Sequence, residues 1–254
     1  MLTFDDLLTG FDQCGPRPSD LVMFHSSYKS FGGVEGGAAT VVSALQELTT
    51  PVRSMLFLPR YGVKAWCQDH YWDYRETPGE MGVIPEVGAS FPGAQRTRHP
   101  IHNFTVLGPW EYEYQFDNVE SYAEDGPFGL FQRRDGLVIS AGVGWSDTFT
   151  HVHYVEQANH APWRRLKSFA GLYVDGWGHP HLRSFDMSVR ATQQHVTDVD
   201  ALYDKLLVPA GVVKQVQIGA ATVSYFRCQD YFEAVSAAVV EHPEYFYRVR
   251  EWKA

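Results

Sequence analysis

The sequence predicts an α/β (α+β) fold with a central mixed β-sheet flanked by helices, and three observations predict it. Residues 21–24 (LVMF) form a short apolar run, followed by a Gly- and Ser-rich loop, a helical stretch and a second apolar run at 55–58. That order is the signature of a βαβ unit, in which two strands lie parallel. Near the other end, residues 213–218 and 222–226 read as a hairpin, which adds antiparallel strands to the parallel pair. The 254 residues are 44% hydrophobic and 20% charged, the balance of a globular chain large enough to bury a core without disulfide or metal support. No linker or repeat divides them, so residues 1–254 read as one domain.

Each element follows from its residues. Thr3 and Asp6 have capping-box spacing ahead of a helix to about Cys14. The run 21–24 follows Pro18-Ser19-Asp20 and reads as a buried strand. The loop 25–37 leads into a helix at 38–48 (AATVVSALQEL) and a strand at 55–58. Residues 60–100, rich in Gly, Pro and aromatic side chains, read as irregular, and long irregular segments in compact folds are usually functional. Strands are expected at 104–107 and 137–141, and helices at 148–158, 198–207 and 230–240.

Charge and cysteine usage narrow the function. Thirty acids against 21 bases give a net charge of −9, without a basic stripe, which disfavours nucleic acid as a partner. No run of 18 apolar residues suggests a membrane span, and the acidic start (MLTFDDLLTG) is unlike a secretory leader. Cys14, Cys67 and Cys228 form no CxxC pair, as suits a reducing cytoplasm.

Three segments carry chemistry. The loop His25-Ser26-Ser27-Tyr28-Lys29-Ser30-Phe31-Gly32-Gly33-Val34-Glu35-Gly36-Gly37 links a strand to a helix, where free amides and the helix dipole favour anions. It fits neither the Walker nor the dinucleotide glycine pattern, and a tight loop without a ligand explains it as well. The histidine pairs His99/His102, His151/His153 and His179/His181 suggest zinc. No H-E-x-x-H motif accompanies them, however, and on a helix His151 and His153 point about 200° apart. In Thr150-His151-Val152-His153-Tyr154-Val155-Glu156, His153 and Glu156 share a helix face at i and i+3, so the carboxylate can fix the tautomer of a general base. A surface ion pair is the plainer alternative. G-x-S-x-G is absent, which argues against a serine hydrolase elbow.

Together these segments resemble the aminoglycoside N(3)-acetyltransferase family. The likeness rests on Gly15 and Asp20 before the first strand, His25-Ser26-Ser27 with Gly36-Gly37, and Met81-Gly82 through Glu86. It continues with Arg96-Thr97-Arg98-His99-Pro100, Gly108-Pro109, Thr150-x-x-His153-x-x-Glu156, Gly219, and Glu241-His242-Pro243-Glu244. The resemblance implies the antibiotic acetyltransferase fold and acetyl transfer from acetyl-CoA to a primary amine, without metal and through a ternary complex. It makes His153 the general base, with Asp186 or Glu156 orienting it. It assigns the coenzyme to His25, Ser26, Ser27, Lys29, Ser30, Phe31, Gly32, Gly33, Val34 and Gly36, together with Arg96, His99, Asn103 and Phe104. Asp73, Glu86 and His151 then belong to the acceptor site; the sequence leaves the oligomeric state open, with a homodimer as one possibility. Thr97, Asn103 and Gly129 depart from the family's usual residues, which bears on the acceptor more than on the chemistry. Backbone amides of the loop are the expected oxyanion donors. Two other classes remain open at this point: a metal-dependent hydrolase built from the histidine pairs, and a non-catalytic CoA-binding protein.

Overall fold

Thr3 starts the first helix, α1 (Phe4–Asp12), through a reciprocal cap: its Oγ1 accepts from the Asp6 amide, and Asp6 Oδ2 accepts from the Thr3 amide at 2.9 Å. The computed structural model describes residues 1–49, 54–109, 116–148 and 150–249. After α1 come β1 (Leu21–Ser26), α2 (Ala38–Thr49), β2 (Met55–Pro59), α3 (Val63–Cys67), β3 (Tyr71–Asp73), α4 (Val83–Gly88), β4 (Gln95–Arg96) and β5 (Phe104–Leu107). The second half runs α5 (Pro127–Arg133), β6 (Leu137–Ala141), α6 (Trp145–Thr148), α7 (His151–Ala158), β7 (Arg164–Val174), β8 (Pro180–Arg190) and β9 (His195–Thr197). It closes with α8 (Asp200–Leu202), β10 (Lys214–Ile218), β11 (Ala221–Arg227), α9 (Cys228–Glu241) and β12 (Tyr247–Val249).

The main sheet has the order β10-β11-β6-β1-β2-β5-β4. At its centre β1 pairs in parallel with β2 and β6, while β5, β4, β11 and β10 join antiparallel, so the sheet is mixed as the sequence predicts. β1 is apolar on both faces because both faces are covered. Val22 and Phe24 enter a core with α1 and α2, whereas Leu21 and Met23 enter the opposite core with α7 and α9. The strand's period of two therefore aims His25, next in the Leu21–Met23 series, into the layer that holds α7. A smaller sheet, β3-β7-β8, packs Phe169, Tyr173 and Phe185 on Trp66 of α3 and on Trp72.

Three segments differ from expectation. Residues 60–100 contain α3, β3, α4 and β4, each too short to display a helical or strand period. The long hairpin β7–β8 went unread because its exposed face carries apolar residues, Leu166, Leu172 and Leu182, that erase the alternation. The expected helix at 148–158 is α7 from His151 onward, preceded by the separate α6; position 149 lies outside the described residues. No helix among the described residues is long and apolar enough to cross a membrane.

Candidate active site

Where the C-terminal end of β1, the first turn of α7 and the strand β8 converge, they enclose a cavity of about 390 Å³. β1 contributes His25, α7 contributes Val152 and His153, and β8 contributes Met187 and Ser188. Tyr61, His102 and Tyr122 close one wall, and Arg164 lies on another.

α7 places His153 and Glu156 one turn apart, and His153 Nδ1–H donates to Glu156 Oε2 at 2.6 Å. Glu156 is fully buried, so its carboxylate survives only through its partners. Trp163 Nε1–H donates to Oε1 at 2.6 Å, and the Arg164 guanidinium puts Nε 2.9 Å from Oε2. Burial alone would raise the carboxyl's pKa; contact with His153, Arg164 and Trp163 outweighs it and holds the group below the usual range. An ionised Glu156 requires the proton on Nδ1, which leaves Nε2 of His153 with a free lone pair. The His153 side chain is 21% exposed, and it lines the cavity. Burial, reinforced by Arg164, holds its pKa below the ordinary value, and Glu156 offsets this only in part. The imidazole is therefore neutral at pH 7, because burial and then the guanidinium outweigh the carboxylate. Arg164 Nη2 approaches the same Nδ1 at 2.7 Å and donates to Thr197 Oγ1 at 3.3 Å.

The wall of Tyr61, His102 and Tyr122 is aromatic. His102 Nε2 and the Tyr122 hydroxyl are 3.2 Å apart, and Tyr61 donates to Thr150 Oγ1 at 3.3 Å. Burial drives the pKa of His25 down to about 3 and that of His102 well below normal.

Several residues proposed from sequence have other surroundings. Asp186 is fixed through its backbone, accepting from Ser121 N–H and donating to Val119 O, and its carboxylate makes no bond to His153; Glu156 has the orienting position. Asp73 lies outside the cavity, where its Oδ1 accepts from the amides of Arg75 and Glu76 in a turn. Glu86 also lies outside, bonded to Arg60 at 2.6 and 3.0 Å. His151 turns into the core among Phe128, Tyr154 and Tyr231, because it sits on the face of α7 opposite His153.

The Arg96 segment is an internal strut. Arg96 donates to Asn103 Oδ1 and to the carbonyls of Tyr74 and Thr77, and its guanidinium stacks 4.6 Å over Trp72. His99 accepts from the His102 amide and donates to Val119 O at 3.2 Å, while Phe104 packs in the core. All four are bonded or packed within the protein, and Arg96 Nη2 alone of its nitrogens is buried without a partner.

The loop after β1 is anchored rather than open. Phe31 and Val34 are buried in the core, so of the proposed coenzyme contacts these two side chains face inward. Ser26 lines a smaller cavity, and Lys29 is exposed. The amides of Ser27, Ser30, Gly32, Glu35 and Gly37 donate to Ala141, Ser27, Lys29, Leu2 and Val34 carbonyls respectively. Gly36 has φ +72°, and a Cβ there would meet Thr40 Oγ1 at 2.5 Å, so the turn requires glycine.

Sequence reasoning did not select Tyr61, His102, Tyr122, Trp163 or Arg164 for the site. His102 was visible in the pair with His99. Trp163 and Arg164 carried no motif, since they reach Glu156 only after the chain reverses at Ala161, whose amide bonds Glu156 O. Among the described residues no three His, Cys, Asp or Glu side chains converge as metal ligands. His179 and His181 instead pair with Asp175 at the β7–β8 turn.

Residues 23–239 match the family of aminoglycoside 3-N-acetyltransferases, and the chain belongs to that family. It is 25% identical to aminoglycoside N(3)-acetyltransferase IX of Micromonospora chalcea over 237 residues, 82% of each chain. Its fold superposes on the crystal structure of aminoglycoside acetyltransferase AAC(3)-Xa with a TM-score of 0.80 at 23% identity, covering 95% of this chain and 93% of that one. AAC-IIIb in a binary complex with CoASH has the same fold, with a TM-score of 0.78, 18% identity and coverage of 94% and 97%.

Proposed function

We propose that this protein transfers the acetyl group of acetyl-CoA to a primary amine of an aminoglycoside-type acceptor in the cytoplasm, with His153 as general base. The observation that carries the reading is the His153–Glu156 pair: Nδ1 lies 2.6 Å from a buried carboxylate on a ring that lines the cavity, and an ionised Glu156 there puts the proton on Nδ1 and leaves Nε2 as the base. Nε2 takes a proton from the acceptor as its nitrogen attacks the thioester carbonyl carbon. The tetrahedral intermediate then collapses, the C–S bond breaks, and the imidazolium returns the proton to the CoA thiolate. Glu156 stabilises that imidazolium while it exists. The anionic end of the coenzyme lies along the 25–37 loop and the N-terminal end of α2, where Lys29 and the helix dipole favour phosphate.

Transfer is direct, without an acyl-cysteine. None of the three cysteines lines the cavity, and burial pushes Cys14 and Cys67 up to about 12 and 11, away from the reactive thiolate. The test is thiol release from acetyl-CoA over a panel of aminoglycosides and simpler primary amines, with the acetylated product identified by mass. Release with at least one amine is expected; acetyl-CoA that binds yet stays intact with every amine would make this a binding protein.

A further inference from the structure

His25 is set on the sheet so that its ring enters the cavity wall, 6% exposed and edge-on to Tyr61 at 6.4 Å between ring centres. Its Nε2 is buried without a hydrogen-bond partner. His25, together with Met81, borders both the 390 Å³ cavity of His153 and a second cavity of about 160 Å³ beside Ser26. His25 thus stands where a linear thioester arm passing between the two cavities would present its carbonyl group. A buried polar nitrogen that the protein leaves unpaired calls for a partner, and the residue that carries it borders a cavity.

Several other donors near this point are already committed. Five amides of the 25–37 loop bond carbonyls of the protein, so they are not free for an oxyanion. His102 also borders the larger cavity, with Nε2 engaged by Tyr122 and Nδ1 buried without a partner, but unlike His25 it does not border the smaller cavity. His151 has an unpaired Nδ1, yet it lies outside the cavity.

We propose that His25 donates Nε2–H to the thioester carbonyl oxygen of acetyl-CoA and to the oxyanion that forms from it, a proposal that rests on the acetyl-transfer reading. When the amine nitrogen bonds to the carbonyl carbon, the C=O π pair moves to oxygen and the hydrogen bond to His25 strengthens. When the C–S bond breaks, that pair returns to C=O. His25 neither gains nor loses a proton. Burial suits it to this task, because an imidazole kept neutral donates without protonating the oxygen.

Isotope-edited infrared spectroscopy of [1-¹³C]acetyl-CoA bound to the full chain reads this contact without any acceptor. The carbonyl band is expected at lower frequency than in free acetyl-CoA, and His25→Ala should return it to the free position while still binding the coenzyme. His25→Leu fills the same apolar surroundings and replaces the alanine variant where that does not fold. In turnover, loss of the donor should lower kcat by about 10²–10³ with KM for acetyl-CoA little changed. His25→Gln, which keeps an N–H near the Nε2 position, should recover part of both signals. An unshifted band in the wild type, or a shift that survives in His25→Ala, overturns the proposal. A shifted band in a protein that acetylates no amine removes the transferase reading alone, whereas normal turnover by His25→Ala removes this one alone.

Discussion

His153 Nδ1 has two suitors: Glu156 Oε2 at 2.6 Å and Arg164 Nη2 at 2.7 Å. Only one tautomer suits each. A proton on Nδ1 serves the carboxylate and leaves Nε2 free as a base, whereas a bare Nδ1 accepts from the guanidinium and puts the proton on Nε2, where it blocks catalysis. The charge on Glu156 decides between them.

Glu156→Gln should therefore do more than remove a charge. Arg164 becomes free to donate to Nδ1, which favours the blocked tautomer, and kcat should fall by at least about 10², as when a triad carboxylate is made an amide. KM for acetyl-CoA should change little. Glu156 also raises the His153 pKa against burial and Arg164, so its loss should move the acidic limb of the kcat/KM profile to lower pH. Steady-state kinetics from pH 5 to 9 check both.

Trp163→Phe keeps the ring and removes one donor to a buried carboxylate. A hydrogen bond to a charged group is worth about 1.5–3 kcal/mol, so urea unfolding should show a loss of that size. Thermal melting at pH 7 gives an independent reading.

Asn103→Ala tests the Arg96 strut. It leaves the buried Arg96 Nε without its acceptor, at a cost of about 1–3 kcal/mol in stability. Affinity for acetyl-CoA should stay close to wild type, since Asn103 bonds Arg96 and the Pro100 carbonyl within the protein. Calorimetry alongside urea melts separates the two; a large loss of coenzyme affinity in a stable variant would return Asn103 to the coenzyme site.

Stability should fall in mild acid. In the unfolded chain histidines take up protons near pH 6.5, whereas burial keeps folded His25, His99 and His151 neutral down to about 3, 4 and 3. Between those limits the unfolded state binds more protons, so stability present above pH 6.5 is lost as pH falls. Each group contributes on the order of 1 kcal/mol per pH unit. Urea midpoints at pH 7 and 5 should differ accordingly, and equal midpoints would contradict the burial of these rings in neutral form.

Much of the fold was legible because it is local. The Thr3–Asp6 cap, the apolar β1 and β2 around α2, and the hairpin β10–β11 each declare themselves within a short stretch of chain, none longer than the unit from Leu21 to Pro59. The β7–β8 hairpin did not, although Asp175-Gly176 marks its turn, because Leu172 and Leu182 are exposed where a strand normally shows polar residues. In the site, His153 and Glu156 were visible through helical spacing. Trp163 and Arg164 were not, since their contact with Glu156 arises from a chain reversal that no periodicity announces. Arg96, Asn103 and Glu86 are polar residues spent on internal bonds, and sequence alone does not separate such a strut from a ligand contact.

The most direct test of base catalysis by His153 is the kcat of His153→Ala beside that of His151→Ala, each with acetyl-CoA and the best acceptor from the amine panel. A positioned general base contributes about 10²–10⁴ in rate, so His153→Ala should lose that much while its affinity for acetyl-CoA persists. His151 points into the core on the opposite face of α7, and His151→Ala should cost mainly stability. A folded His153→Ala enzyme that turns over at near the wild-type rate would contradict the assignment of His153 as the base.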